Sequence, residues 1–361
     1  MLLYLHIPFC HRVCPYCSFY KHTPGSTPIS AFIDALGDEA KRRITTPPRT
    51  IYLGGGTPSM LSLGHLERLF GKLHELIDFS QLDEVTLEAN PATFDMRKAE
   101  LLRQLGVSRV SLGIQSFNAR VLQTLGREHD PHQAAESVRI LHDAKISEIN
   151  IDLMFSIPGQ SESDWQHSLE SSIALKPHHI SAYNLTYEED TAFIESLKRG
   201  EMDMNQDRDA SQYHQADSIL TAAGFNHYET SNYAKKGHQS THNSGYWQGE
   251  DYLGLGPSAV STLQRQRYQN VADTARYVEQ INSIGNATVI AETLNEEEWR
   301  IERIALGLRT HKGISMKLLN PKGVIRAESL ANEGMAVIIN GRLKLTGVGR
   351  ALVDSIVVEL I

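Results

Sequence analysis

The chain has 361 residues, is 41% hydrophobic and 22% charged, and carries a formal net charge of -8. That balance argues against nucleic acid as the main partner, since phosphate binding needs a concentrated basic face, and the densest basic run, AKRRI at 40–44, reads as a solvated helix face. No stretch approaches the roughly 18 consecutive apolar residues that span a bilayer, so the composition is that of a soluble globular chain with one large domain and appendages.

The opening residues, MLLYLHIPF, have no basic stretch ahead of the apolar run and no small-residue cleavage site after it; they read as a strand rather than a leader, and a cytoplasmic location is expected. All three cysteines follow at once, as Cys10, Cys14 and Cys17 in CHRVCPYC. An odd, tightly spaced set cannot form a closed disulfide framework, which implies reduced thiols. Pro15 interrupts any helix through the set, leaving a loop able to place three thiolates at three corners of a cube. Iron–sulfur clusters usually take four thiolates, so three leave one iron open to something other than protein. Structural zinc on the cysteines with His6 or His11 is the competing reading.

Further along, short β-rich runs alternate with helical patterns: 2–9, 50–56, 84–91, 109–116, 149–159 and 179–189, with helices expected over 30–44, 62–77 (Ser62 as N-cap), 95–105, 131–144 and 161–175. Alternation of this kind implies parallel strands with crossover helices. Each run ends in polar or special residues: the cysteines, then Gly54-Gly55-Gly56-Thr57, Glu88 and Asn90, Gln115 and Ser116, Asp152 with Pro158-Gly159, and Tyr183 with Asn184. Reactive residues gather at the C-terminal ends of strands in barrel-like α/β folds. The expected fold is therefore α/β, an incomplete, open (β/α)6 barrel with its site along one rim.

Three regions are expected: the barrel core over 1–225, closing with a helix at 207–225; a Gly- and aromatic-rich connecting region over 226–290 that holds HNSGYW (242–247); and a mainly helical C-terminal domain over 291–361. The last begins near 295–310, contains a hairpin signalled by Asn340-Gly341, and ends in a helix over 347–361. Helices followed by such a hairpin are winged-helix-like, but with no basic recognition helix the unit reads as a packing or homodimer contact and not as a DNA reader.

The cysteine spacing with Tyr16 as its aromatic, followed by a strand ending in Gly-Gly-Gly-Thr, resembles the radical S-adenosylmethionine (SAM) superfamily. The resemblance implies a [4Fe–4S] cluster on Cys10, Cys14 and Cys17 whose open iron is chelated by SAM, the protein supplying binding, orientation and containment. The glycines would let backbone carbonyls approach the ligand's ammonium. The ordered segments YLHIPFCHRVCPYCSF, LGGGTPSML, TLEANP, RVSLGIQSF, LGREHD, NIDLMFSIPGQ, HNSGYW and DYLGLGPSA narrow the resemblance to the oxygen-independent coproporphyrinogen III oxidases and their relatives, the HemW-type heme chaperones. By position Tyr4, Gly55, Gly56, Thr57, Glu88, Gln115, Arg127 and Asp152 match that family's SAM contacts, and Arg127 with Asp152 could instead form an internal ion pair.

Two features divide the branches. The oxidases carry a fourth cysteine two residues after the third, where this chain has Phe19, and HNSGYW resembles an element of the chaperone branch. Against this, Val260 stands where chaperone members often have histidine. The resemblance therefore implies a chaperone that binds heme, with help from His242, and passes it to acceptor hemoproteins, membrane-associated ones included. The alternative is an enzyme that decarboxylates porphyrinogen propionates by radical chemistry.

Overall fold

The structure is a computed structural model describing residues 1–361. Six parallel strands form consecutive neighbours: β1 (Leu2–Ile7), β2 (Thr50–Gly55), β3 (Glu84–Ala89), β4 (Arg109–Gln115), β5 (Glu148–Phe155) and β6 (His179–Asn184). Crossover helices start where the sequence provides caps. Ser62 accepts from His65 N (3.2 Å), and Asp130 and Ser161 each close a capping box.

The strands do not close on themselves. Beyond β6 run the antiparallel β8 (Asn232–Ala234) and β7 (Asn226–Glu229); beyond β1 run β9 (Tyr252–Leu255), β10 (Val260–Leu263), β11 (Gln266–Asn270) and β12 (Thr288–Thr293), giving one 12-stranded open sheet. The segment 226–290, expected as a connecting region, is thus woven into both ends of the barrel sheet.

Alternation sorts the strand residues into two faces. Leu3, Leu5, Ile51, Leu53, Val85, Leu87, Val110, Leu112, Ile149 and Ile151 are buried in one 50-residue hydrophobic cluster with the surrounding helices. The opposite parity points into the barrel and is polar: Glu84, Thr86 and Glu88 on β3, Arg109 and Ser111 on β4, Asn150 and Asp152 on β5. A polar interior survives burial only if its groups find partners. Here Asp152 accepts from Ser111 Oγ (2.8 Å) and Asn150 Nδ2 (2.7 Å), while His179 bonds Asn150 Oδ1 (2.6 Å) and Tyr228 Oη (2.7 Å).

The lower end is plugged by the segment leading into the helix Thr241–Gln248. Glu84, 4% exposed, accepts from Thr86 Oγ1 (3.0 Å), Arg109 Nε (3.1 Å), Ser240 Oγ (3.0 Å), Thr241 N (2.9 Å) and His242 N (3.3 Å). Arg109 also donates to the carbonyls of His238 and Gln239 (3.1 and 3.3 Å), so strand and plug share one ion pair.

The C-terminal unit has its own cluster of 13 buried residues between Ile304 and Leu360. Its sheet is β13 (Ile314–Ser315), β15 (Arg342–Leu345) and β14 (Ala336–Ile339), with the hairpin turning at Asn340-Gly341, both at positive φ (52° and 71°). The helix expected over 347–361 is two, Gly347–Ala351 and Val353–Leu360; Leu352 leaves the helical region (φ -113°, ψ 19°) and breaks it. No helix is long and apolar enough to cross a membrane.

Burial alone would push the Glu84 carboxyl up, but Arg109 and the surrounding donors hold it below its usual value. A depressed carboxyl contributes stability that is present above its unfolded pKa and lost as pH falls through the folded one. Glu84→Ala is expected to lower unfolding free energy by about 3–5 kcal/mol at neutral pH, read by urea denaturation, and the deficit should shrink as pH is lowered below about 4.

Candidate functional site

The loop between β1 and the helix Ile29–Arg43 is pinched at its base by Pro8 and His22: His22 N donates to Pro8 O (2.9 Å) and Cys10 N to His22 O (3.0 Å). Within it Cys10, Cys14 and Cys17 are free and half-buried on the wall of a cavity of about 370 Å³ at the C-terminal ends of the strands. Thr57 Oγ1 donates to Cys10 Sγ (3.5 Å) and Arg127 Nη1 to Cys14 Sγ (3.7 Å), and Lys21 reaches the Cys17 carbonyl. Burial pushes the Cys10 and Cys17 thiols up; donors and cations pull the other way, and an iron cluster would take the thiolate form they favour. No three Cys, His, Asp or Glu side chains converge where a single ion could be held. The His6 ring is also committed, Nε2 to Tyr20 O (2.7 Å) and Nδ1 to Tyr4 Oη (3.1 Å), while His11 is exposed. The donor set fits a polynuclear cluster better than zinc.

Tyr16, Gly55, Gly56, Thr57, Glu88, Gln115, Arg127 and Asp152 all line the same cavity. Glu88 accepts from Tyr52 Oη (2.8 Å) and Gly55 N (3.2 Å), and burial, with Asp152 nearby, pushes it up to about 7. Burial likewise raises Asp152. Gln115 holds a left-handed backbone (φ 70°), and its Oε1 is buried without a partner, as is Arg127 Nε. Orphaned buried polar atoms on a cavity wall fit a ligand that would satisfy them. Arg127 makes no ion pair with Asp152; its Nη2 donates to Gly113 O and its Nη1 to Cys14 Sγ, leaving Nε free.

Several expectations need amending. Tyr4 does not line the cavity: it stands one layer below, against Tyr52 (ring centroids 6.1 Å), its hydroxyl on His6. The glycines answer first to the protein's own packing. A Cβ on Gly55 (φ 103°) would lie 2.4 Å from the His6 ring, and one on Gly56 would lie 2.7 Å from the carbonyls of Ile7 and Phe9. His242 sits in the barrel floor, fully buried, with Nδ1 on Thr50 Oγ1 (2.8 Å) and its ring packed on Tyr52 and Tyr246. Burial pushes it down to about 4; Nε2 has no hydrogen-bond partner, but the residue has no exposed surface for a macrocycle to meet. Val260 is placed on β10 opposite Gln269, outside the cavity wall.

The cavity also uses Tyr52, Ser111, Gly113 and Lys21, which the sequence did not single out, and Tyr183, which it marked only as a strand-end residue. Parity could have found four of them: Tyr52, Ser111, Gly113 and Tyr183 share the inward phase of Gly54, Asp152 and Glu88 along their strands.

The sequence profile described as the Radical SAM superfamily matches residues 4–171. Among curated relatives, the heme chaperone HemW of Lactococcus lactis is 36% identical over 341 residues, covering 94% of this chain and 89% of the relative. The heme chaperone HemW of Mycobacterium tuberculosis is 34% identical over 99% of this chain and 94% of the relative. The chain belongs to the HemW family of radical SAM proteins. Its fold matches that of coproporphyrinogen III oxidase (HemN) from Escherichia coli with a TM-score of 0.86, covering 99% of this chain and 89% of that one at 22% identity. Membership of this superfamily implies a [4Fe–4S] cluster and SAM.

Anaerobic reconstitution is expected to load one cluster on Cys10, Cys14 and Cys17, giving an electron paramagnetic resonance signal on reduction. Stoichiometric zinc, or a cluster that persists when all three are alanine, would contradict the assignment.

Proposed function

We propose that the protein is a heme chaperone, binding heme and transferring it to acceptor hemoproteins, with a cluster and SAM held at the barrel rim. Identity above 30% along nearly the full length of curated heme chaperones is the observation that carries this reading. Cys10, Cys14 and Cys17 would hold the cluster, which supplies an electron to SAM when both are bound. Arg127, with its unpartnered Nε, is suited to a carboxylate; Glu88, charged above about 7, is suited to an ammonium; Gln115 supplies an acceptor.

The oxidase reading is the weaker one. Phe19, 67% exposed at the cavity mouth, supplies no thiol where the oxidases carry their fourth cysteine. The HNSGYW segment remains our candidate for contact with heme, through Tyr246 and Trp247 in place of the sealed His242. Those two rings line a second cavity of about 280 Å³ with Tyr183 of β6, Glu229 of β7 and Leu306. Aromatic faces of this kind suit the edge of a flat apolar macrocycle.

Two measurements follow. Reconstituted protein with reductant, SAM and coproporphyrinogen III is expected to yield no protoporphyrinogen over multiple turnovers; steady product formation would install the oxidase reading instead. In heme titrations followed by Soret absorbance, Trp247→Ala is expected to weaken binding by roughly tenfold, about 1.4 kcal/mol, while His242→Gln leaves the iron coordination spectrum unchanged. A coordination change in His242→Gln with Trp247→Ala silent would return the iron to the histidine.

A further inference from the structure

The two sheets have four edges, and three are blunted. Strand β7 is buried after Asn226, β13 is two residues long, and β12, although Val289 and Ile290 are 52% and 51% exposed, is interrupted by the charged Glu292, which faces Arg267 (3.5 Å). The fourth, β14, is different. Its residues Ala336–Ile339 include neither a charge nor a proline, and Val337, Ile338 and Ile339 are 41%, 38% and 50% exposed. An uncharged aliphatic edge with unpaired backbone groups is a template for another strand, and proteins ordinarily guard against that.

Charge narrows what the strand would be. In register, Val337 lies opposite Lys344 and Ile339 opposite Arg342, so aliphatic and cationic side chains share the outer face of the hairpin. Arg342 is committed to the carbonyls of Lys312 and Gly313 (2.9 and 2.6 Å), whereas Lys344 has no acidic partner. The C-terminal unit as a whole is nearly balanced, ten basic against nine acidic residues over 291–361, but beside the hairpin Lys312, Lys317, Arg342 and Lys344 have no acidic partner within 4 Å, so the excess of positive charge is local to this edge. Two copies meeting at this edge would oppose like charges.

We infer that β14 is a docking edge for a partner protein, which adds an extended, acidic segment with alternating apolar side chains as a fourth strand. Backbone hydrogen bonds would supply the pairing, Val337 and Ile339 the apolar contact, and Lys344 the preference for acid. The proposal stands apart from the heme reading, since it uses no residue of the barrel cavities.

The test uses the full chain and three fluorescent peptides: one alternating glutamate and valine, its lysine-for-glutamate counterpart, and the glutamate peptide N-methylated at alternate residues to block pairing on one edge. Anisotropy is expected to show the glutamate peptide binding at least ~10-fold tighter than either control, and hydrogen exchange to slow at 336–339 in its presence. The double variant Val337→Glu/Ile339→Glu, at two solvent-facing positions, should lose at least that factor; its melting curve, heme titration and cluster content report whether the fold is intact. Equal binding of the N-methylated peptide, no binding, or binding indifferent to the double variant would overturn the inference. So would a dimer in analytical ultracentrifugation, or cosedimentation with anionic phospholipid vesicles, that the same variant abolishes, because the edge would then serve a second copy or a lipid surface.

Discussion

A single buried carboxylate, Glu84, ties the barrel floor to the sheet above it. An open barrel has no ring of strand hydrogen bonds to close it, so its interior must be sealed by something brought in from elsewhere. Glu84 does this by accepting five hydrogen bonds, from its own strand, from the neighbouring strand and from the start of the helix that plugs the floor. The helix begins with unsatisfied N–H groups and a partial positive charge, and a carboxylate flanked by an arginine is what such an end accepts. Cavity, floor and sheet therefore share a common anchor.

The same strand shows how one backbone serves two chemistries. Glu84 and Glu88 face the same way on β3, yet one is held below the ordinary carboxylate range and the other is pushed up to about 7. Glu84 is buried and Glu88 lines the cavity, partly buried; what differs most is the company. Arg109 and three donors from the plug surround the first, while Asp152 and a tyrosine hydroxyl attend the second. Environments that drive two carboxyls apart are how a site acquires groups with different tasks. Here the separation also runs from floor to rim, with structural charge below and ligand-facing charge above.

Much of this was legible beforehand, for definite reasons. The strands and their crossovers announce themselves through alternation and caps such as Ser62 and Asp130, which act locally. The rim was legible because each strand ends in a residue of unusual type. What the chain could not reveal was depth: Tyr4, Tyr52 and His242 are all aromatic or imidazole groups near motif residues, and only the stacking of layers decides that Tyr52 reaches the cavity while Tyr4 and His242 lie beneath it. The glycine run points to ligand access, whereas side chains on it would meet the protein first: the Glu88 carboxylate and Tyr52 ring at Gly54, the His6 ring at Gly55, and two main-chain carbonyls at Gly56. The break at Leu352 had no signal in a run of helix-compatible residues.

The pinch at the base of the cysteine loop has a consequence for how the protein withstands damage. Because Pro8, Cys10 and His22 are stitched by main-chain hydrogen bonds, and Phe9 packs on Phe32 and His22, the residues entering and leaving the loop are fixed independently of whatever the three thiols hold. Loss of iron to oxygen would then slacken a short surface arc without pulling on the sheet beneath it. A barrel that outlasted its own cluster could then be refilled, and oxidative loss would be open to repair.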